Sequence, residues 1–211
     1  MGDTLTEKEN IMELTNMILN ISSVYNAATT EEKSQGIAWY SYAHTQLRDM
    51  AIAYNFSVDA VIDACAAISP GIRWESNIKG IEILCDSIAN NRPLSAIVGV
   101  AGYRRNIDKA IAILLADMRN EPFRHILSGP KVTAFADNMR NGNDDVKVTI
   151  DVHAYSIAMG ERFTVANIPH ISNSVRTAMI EAYRHVAGIY GISPKALQAV
   201  TWVAWKRMHG V

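Results

Sequence analysis

Apolar and polar residues follow one another along most of the chain with the period of an amphipathic helix. Between Thr6 and Ser23 the apolar residues recur at three- and four-residue steps, as in a helix with one buried face. The same spacing recurs at about 29–50, 58–69, 74–90, 94–100, 107–119, 130–140, 152–160, 174–186 and 194–207. Only residues 146–152 alternate with the period of a strand, and there we expect an extended approach to the next helix. The pattern predicts an all-α protein.

Residues that are typical of helix starts and helix ends lie between these segments. Thr29 and Glu32 have the spacing of a capping box, in which each side chain bonds the backbone N–H of the other residue. Pro130 suits the first position of a helix, where its missing N–H costs nothing. Asp151 is a favoured N-cap for a helix that starts at Val152. Further starts are predicted at Thr6, Ser57, Ser172 or Ser174, and Ser193, and further ends at Asn90–Pro93, Asn141–Asn143 and Gly160.

Composition narrows the class of protein. Apolar residues make up 49% and charged residues 19%, enough for a sizeable core and against global disorder. No apolar run reaches the roughly 18–20 residues of a membrane span. Cys65 and Cys85 are the only cysteines, too few for a disulfide framework or a four-cysteine site. The histidines lack the spacing of a metal-binding HExxH motif, and no Walker or Rossmann glycine motif is present. We therefore expect neither a metal nor a cofactor.

Charge is unevenly distributed along the chain. The formal net charge is −1, but residues 1–36 carry six acids and two bases, which leaves a net charge of +3 in residues 37–211. We predict an acidic helical extension over residues 1–28 and one helical domain over residues 29–211. Because this excess of bases is small, a basic surface that binds a nucleic acid can only be a local cluster of Lys and Arg side chains.

The stretch from Phe123 to Arg162 carries the residues from which a function can be predicted. The sequence Leu127-Ser128-Gly129-Pro130-Lys131 predicts a tight hairpin that leads into a helix, and a helix N-terminus behind a glycine is suited to hold a phosphate. Beyond it, Asp151 opens the next helix. A carboxylate at a helix N-terminus is stabilised by the helix dipole and by local N–H groups.

Four blocks of this sequence resemble the helix-hairpin-helix DNA glycosylase superfamily, of the endonuclease III and 8-oxoguanine glycosylase type. The blocks are AISPGIRWESN, GYRRN before KA, LSGPKVTAF and VTIDVHAYSIA, and they occur in the order of the family over about residues 57–162. The resemblance implies the helical fold of that family, a hairpin that grips the DNA backbone, and a flipped nucleotide. It implies that Asp151 is the catalytic aspartate. The iron–sulfur cluster of many members is not expected, because its cysteines are missing here.

Lys131 has two interpretations under this resemblance. Bifunctional glycosylases use a lysine after the hairpin as a nucleophile, and Lys131 precedes Asp151 by 20 residues, close to their spacing. The hairpin is two residues shorter than the family pattern, however, and an ungapped alignment places Thr133 at the lysine position. We expect Lys131 to contact the DNA backbone without forming a covalent intermediate.

The predicted function is that of a DNA glycosylase that flips a base and cleaves its N-glycosidic bond with Asp151, and with Lys131 as the second candidate catalytic residue. Two alternatives stay open: modification of a flipped pyrimidine in viral DNA, and DNA binding without catalysis. We expect a monomer that binds duplex DNA and no membrane, in the cytoplasm, or in the host cytoplasm if the protein is viral. The predicted DNA contacts are Ser128, Gly129, Lys131, Arg73, Trp74, Tyr103, Arg104 and Arg140.

Overall fold

The computed structural model describes residues 7–140 and 147–210. Within these residues the chain forms nine α-helices, two short 3-10 turns and no strand, so the all-α prediction is confirmed. The helices are α1 (Glu7–Ala27), α2 (Thr30–Tyr54), α3 (Val58–Ile68), α4 (Trp74–Ala89), α5 (Arg104–Met118), α6 (Pro130–Met139), α7 (Val152–Met159), α8 (Asn173–Tyr190) and α9 (Pro194–His209). The predicted cap at Thr6, the stop at Asn141–Asn143 and Val146 lie outside the described residues.

Most helix ends lie where local signals predict them. The backbone N–H of Thr29 donates to Glu32 Oε2 at 2.9 Å, and that of Glu32 donates to Thr29 Oγ1 at 3.2 Å, which is the predicted capping box. Side-chain caps also form at Ser57, Ser172 and Ser193. Gly160 follows α7 in the left-handed conformation, with a φ of 72°. These signals succeed because each of them acts within a few residues.

The predicted helix over residues 94–100 is wrong. Only a 3-10 turn, Leu94–Ala96, forms there, and the side chain of Val98 is 76% exposed. Gly99 and Gly102 have φ values of +83° and +122°, which a helix cannot accommodate and which glycine tolerates. The chain therefore stays irregular until α5 begins at Arg104.

The first of two compact units consists of residues 1–40 and 143–211. Its core is formed by α1, α7, α8 and α9, and Met17 and Ile21 of α1 are almost completely buried in it. Gly36 of α2 lies against the backbone of α9, where an added Cβ would stand only 2.4 Å from Val200 Cα. The predicted boundary at residue 28 thus differs from the division in the structure, because α1 belongs to this core.

The second unit consists of residues 41–142. Its central helix is α3, which is buried over Ala60–Ile68 and packs against α4, α5 and α6. Among the described residues, no single helix is long and apolar enough to cross a membrane, and only the bent pair of α2 with α3 reaches that threshold together.

Candidate functional site

Asp151 lies in the first unit, where the extended segment 147–150 turns into α7. Val148 and Ile150 are buried in the core and anchor this segment, and Asp151 follows as the N-cap. Asp151 Oδ1 accepts a hydrogen bond from the backbone N–H of Ala154 at 2.8 Å, so the predicted cap is confirmed. The residue is half-buried, and its other carboxylate oxygen has no hydrogen-bond partner within residues 7–140 and 147–210. One oxygen therefore fixes the side chain and the other is open to a ligand.

Buried polar contacts hold the segment that leads to Asp151. The hydroxyl of Tyr40 lies 2.9 Å from Gln198 Oε1 and 3.2 Å from Thr149 Oγ1, and all three side chains are buried. Tyr183 of α8 is fully buried as well. Burial raises the pKa of its phenol, and the negative charge of Asp151 adds to that rise. These buried hydrogen bonds fix the position of the segment that ends at Asp151, because buried hydrogen-bonded networks are costly to rearrange.

The predicted hairpin lies in the second unit, where Leu127 is buried and Ser128, Gly129 and Pro130 are exposed. Gly129 has a φ of +100° and a ψ of 132°, a conformation suited to glycine, and the space where a Cβ would stand is open. Pro130 begins α6 as predicted. At the start of α6 the N–H groups of Lys131 and Val132 precede the first internal helix bond and have no acceptor in the described part of the chain. The start of α6 thus carries two backbone donors that are not used within the described chain.

A lysine on α5 joins this hairpin, although we did not predict it as a DNA contact. Lys109 Nζ donates to Ser128 Oγ at 2.7 Å. Arg105 shares a face with Lys109 because four residues separate them on α5, and its guanidinium carbon lies 5.7 Å from the centre of the Tyr103 ring. The side chain of Tyr103 is 57% exposed. The block GYRRN before KA contains Lys109, but its contact with Ser128 joins residues 19 apart and could not be read from that block.

Most cations of the second unit are paired with a carboxylate, but those around the hairpin are not. Arg105, Lys109 and Lys131 form no ion pair with any described residue. Arg73, at the N-cap of α4, and Lys79, within α4, are also without a carboxylate in the described ranges. We call Ser128, Gly129, Lys131, Lys109 and Arg105 the hairpin surface. No described carboxylate therefore neutralises the three cations of this surface.

The other predicted DNA contacts have different surroundings. Arg73 is exposed at the N-cap of α4, and Trp74 Nε1 donates to Gln46 Oε1 at 3.1 Å. Arg104 forms a salt bridge with Asp108 at 2.8 Å, one turn further along α5. A surface pair of this kind is weak and does not prevent Arg104 from turning to a phosphate.

Arg140, a further predicted DNA contact, belongs to an internal ion cluster. Its Nε lies 2.9 Å from Asp59 Oδ1, its NH1 lies 2.6 Å from Asp137 Oδ1, and its NH2 bonds Asp63. Asp63 is 1% exposed, and burial raises its pKa even though Arg140 opposes the rise. Arg124 holds the other oxygen of Asp59 at 2.7 Å. The guanidinium of Arg140 thus joins α6 to α3 through bonds to three carboxylates, and it is not one of the proposed DNA contacts.

The predicted site residues therefore fall into two groups. Ser128, Gly129 and Lys131 lie together with Lys109 on the hairpin surface of the second unit, whereas Asp151 belongs to the first unit. Across the described part of the chain no group of three or more His, Cys, Asp or Glu side chains could hold a metal ion.

The chain belongs to a family of unknown function, DUF7178, whose model matches residues 3–209. The match covers almost the whole chain and includes both units. No curated protein and no solved structure matches the chain.

Proposed function

We propose that the protein binds duplex DNA and cleaves the N-glycosidic bond of a flipped base. Asp151 carries this proposal, because its carboxylate is held by Ala154 N–H through one oxygen while the other oxygen has no partner in the described residues. A fixed, half-exposed carboxylate is the group that stabilises developing positive charge on a sugar. A base inside a duplex has to leave the stack before such a group can reach its sugar.

In the proposed reaction the base leaves with the electron pair of the glycosidic bond and takes up a proton from solvent. The sugar carbon becomes cationic, and the free oxygen of Asp151 stabilises that charge. Water then adds to the carbon, and Asp151 accepts the proton that the water loses before passing it to solvent. The products are a free base and an abasic site. No covalent bond to the protein forms in this sequence.

The hairpin surface is the proposed contact with the DNA backbone. Two N–H groups at the start of α6, those of Lys131 and Val132, point out of the helix N-terminus, where an anion is favoured. The cations of Lys131, Lys109 and Arg105 add a charge that no described carboxylate neutralises. A contact of this kind positions the duplex and carries no sequence information by itself.

The experiment that tests the proposal compares Asp151→Asn with the wild type on duplexes that carry a panel of damaged and modified bases, with abasic-site formation as the measurement. Asparagine keeps most of the capping, so the free energy of unfolding should change by about 1 kcal/mol or less. Turnover should fall by about 100-fold or more, as it does when other electrostatic groups are removed from active sites. Ser193→Ala, which removes the cap of α9, is the matched control for lost capping alone. Wild-type turnover in folded Asp151→Asn would exclude Asp151 from the reaction.

A second candidate function is DNA binding without catalysis. It is favoured by the bond from Ala154 N–H to Asp151, since N-capping alone is enough reason for an aspartate there. In that case affinity falls steeply with salt concentration, as phosphate contacts require, and no abasic site forms on any substrate. A gain in the mass of the base without its release would identify the third possibility, modification of a flipped pyrimidine.

A further inference from the structure

Tyr40 of α2 is a buried residue that connects the segment before Asp151 to two helices of the first unit. A phenol can donate one hydrogen bond and accept others. The hydroxyl of Tyr40 lies within hydrogen-bond distance of both Gln198 Oε1 and Thr149 Oγ1. Gln198 belongs to α9, and Thr149 is two residues before Asp151. This one hydroxyl therefore links α2, α9 and the segment 147–150.

A close approach of α2 to α9 brings Tyr40 to this position. Gly36 lies one turn before Tyr40 on the same face of α2. An added Cβ at Gly36 would stand 2.4 Å from Val200 Cα, and Val200 follows Gln198 by two residues on α9. Glycine allows two backbones to come this close. A larger residue at this position would push the helices apart and take the Tyr40 hydroxyl away from its partners.

Apolar burial alone does not fix the orientation of the extended segment 147–150. Val148 and Ile150 are buried in the core, but neither forms a backbone–backbone hydrogen bond with another described residue. Apolar burial is non-directional, whereas a hydrogen bond restrains both a distance and an angle. The contact of Thr149 with Tyr40 supplies such a directional restraint just before the chain reaches Asp151.

We propose that Tyr40 is a positioning residue of the Asp151 site and acts through Thr149 on the direction of the carboxylate. The N–H of Ala154 holds one oxygen of Asp151, and the restraint at Thr149 holds the backbone from which that side chain extends. Both restraints matter, because a displacement of about 1 Å at a reacting group can cost about 100-fold in rate. The role of Tyr40 in base release rests on the proposed function, whereas its restraint on Asp151 does not.

Tyr40→Phe in the full chain tests this role, because phenylalanine keeps the ring and removes only the hydroxyl. On a duplex from which the wild type releases a base, kcat should fall by about tenfold or more, as for a misplaced reacting group. KM should stay unchanged, because the hairpin surface keeps its DNA contacts. The Ala154 amide should exchange faster with solvent in an NMR measurement, because its acceptor Asp151 Oδ1 is held less firmly. The Val175 amide, which Ser172 caps on α8, is the internal reference and should exchange as in the wild type.

Substitutions at two other hydroxyls make the test specific. Tyr190→Phe is the matched control, because the Tyr190 hydroxyl donates to Asn26 Oδ1 at 2.9 Å, the distance at which Tyr40 donates to its amide acceptor. This control should leave kcat and the exchange of the Ala154 amide unchanged. Thr149→Val should reproduce the effects of Tyr40→Phe, whereas Thr149→Ser keeps a hydroxyl and should retain most of the activity. If Tyr40→Phe does not fold, the two Thr149 variants carry the test.

The two measurements separate this inference from the proposed chemistry. Where Asp151→Asn reduces base release, an unchanged kcat in Tyr40→Phe or an equal loss in Tyr190→Phe would overturn the assignment. An unchanged exchange rate of the Ala154 amide in Tyr40→Phe would overturn it in every case. If the wild type releases no base from any duplex, or Asp151→Asn releases it as fast, the proposed chemistry fails. The exchange rate of the Ala154 amide then decides by itself whether Tyr40 positions Asp151.

Discussion

Replacing Arg140 by methionine should destabilise the second unit strongly. Methionine keeps much of the side-chain volume but leaves Asp63, which is 1% exposed, without its cation. Asp59 is 45% exposed and keeps Arg124, and Asp137 is 30% exposed, so water compensates both of them in part. The loss therefore comes mainly from Asp63, and leaving a buried charge unpaired costs about 3–5 kcal/mol. That is a large share of the 5–15 kcal/mol that is typical of a folded protein.

Chemical denaturation of Arg140→Met as a function of pH measures this loss. Burial raises the pKa of Asp63 in the folded state above its ordinary value of 3.8, and in the variant Arg140 no longer opposes the rise. The folded variant consequently binds more protons than the unfolded chain, and its free energy of unfolding increases as the pH falls through the raised pKa. We expect the loss to be full at pH 7 and to shrink as the pH is lowered toward 3.8. Adding Asp63→Asn should recover much of the stability at pH 7.

A control separates this cluster from ordinary surface pairs. Arg119 and Glu121 form an exposed salt bridge at 3.0 Å, with side chains 59% and 53% exposed. Arg119→Met should cost less than about 1 kcal/mol. If Arg140→Met costs no more than this control, or if its loss does not depend on pH, then Asp63 is solvated and the reasoning from its burial is wrong.

Three further substitutions test other parts of the structure. Gly36→Ala should lower Tm, because the new Cβ would lie 2.4 Å from Val200 Cα and overpacking costs about 1–3 kcal/mol or more; an unchanged Tm would contradict that contact. Lys131→Ala should weaken DNA binding and reduce the salt slope by about one, and borohydride should trap no adduct with the wild type during turnover; a trapped adduct that depends on Lys131 would make it a nucleophile. Glu32→Gln should reduce the loss of stability in acid. The hydrogen bond from Arg207 lowers the pKa of Glu32 below 4.5 in the folded state. The stability that this pair contributes is therefore lost as the pH falls through that lowered pKa. An identical acid dependence of the free energy of unfolding in the two proteins would refute this.

Local sequence signals were enough for much of the fold. The capping box at Thr29 and Glu32, the proline that begins α6 and the cap at Asp151 each depend on contacts within four residues, and all of them form. The exception is the predicted helix over 94–100. The spacing of its apolar residues favours a helix, but Gly99 has a positive φ that is incompatible with one. Periodicity alone does not reveal such a backbone requirement.

Long-range contacts could not be predicted in the same way. Arg140 has the sequence context of a phosphate contact, and only its approach to Asp59 and Asp63, 81 and 77 residues away, shows that it is occupied. The acidic composition of residues 1–28 suggested a separate extension, yet Met17 and Ile21 are core residues. Composition describes a residue, whereas these roles depend on its neighbours in space.

The discontinuity of the first unit has a consequence for how the protein is made. Its helix α1 is synthesised long before α7, α8 and α9, with which it shares a core, and residues 41–142 leave the ribosome in between. Once residue 142 has been synthesised, the second unit is complete and can fold while translation continues. During that interval the apolar face of α1 lacks the three helices that cover it in the folded unit. Closing the first unit requires a loop of about a hundred residues, but once the second unit is folded, that loop is already ordered and the entropic cost of closure is reduced.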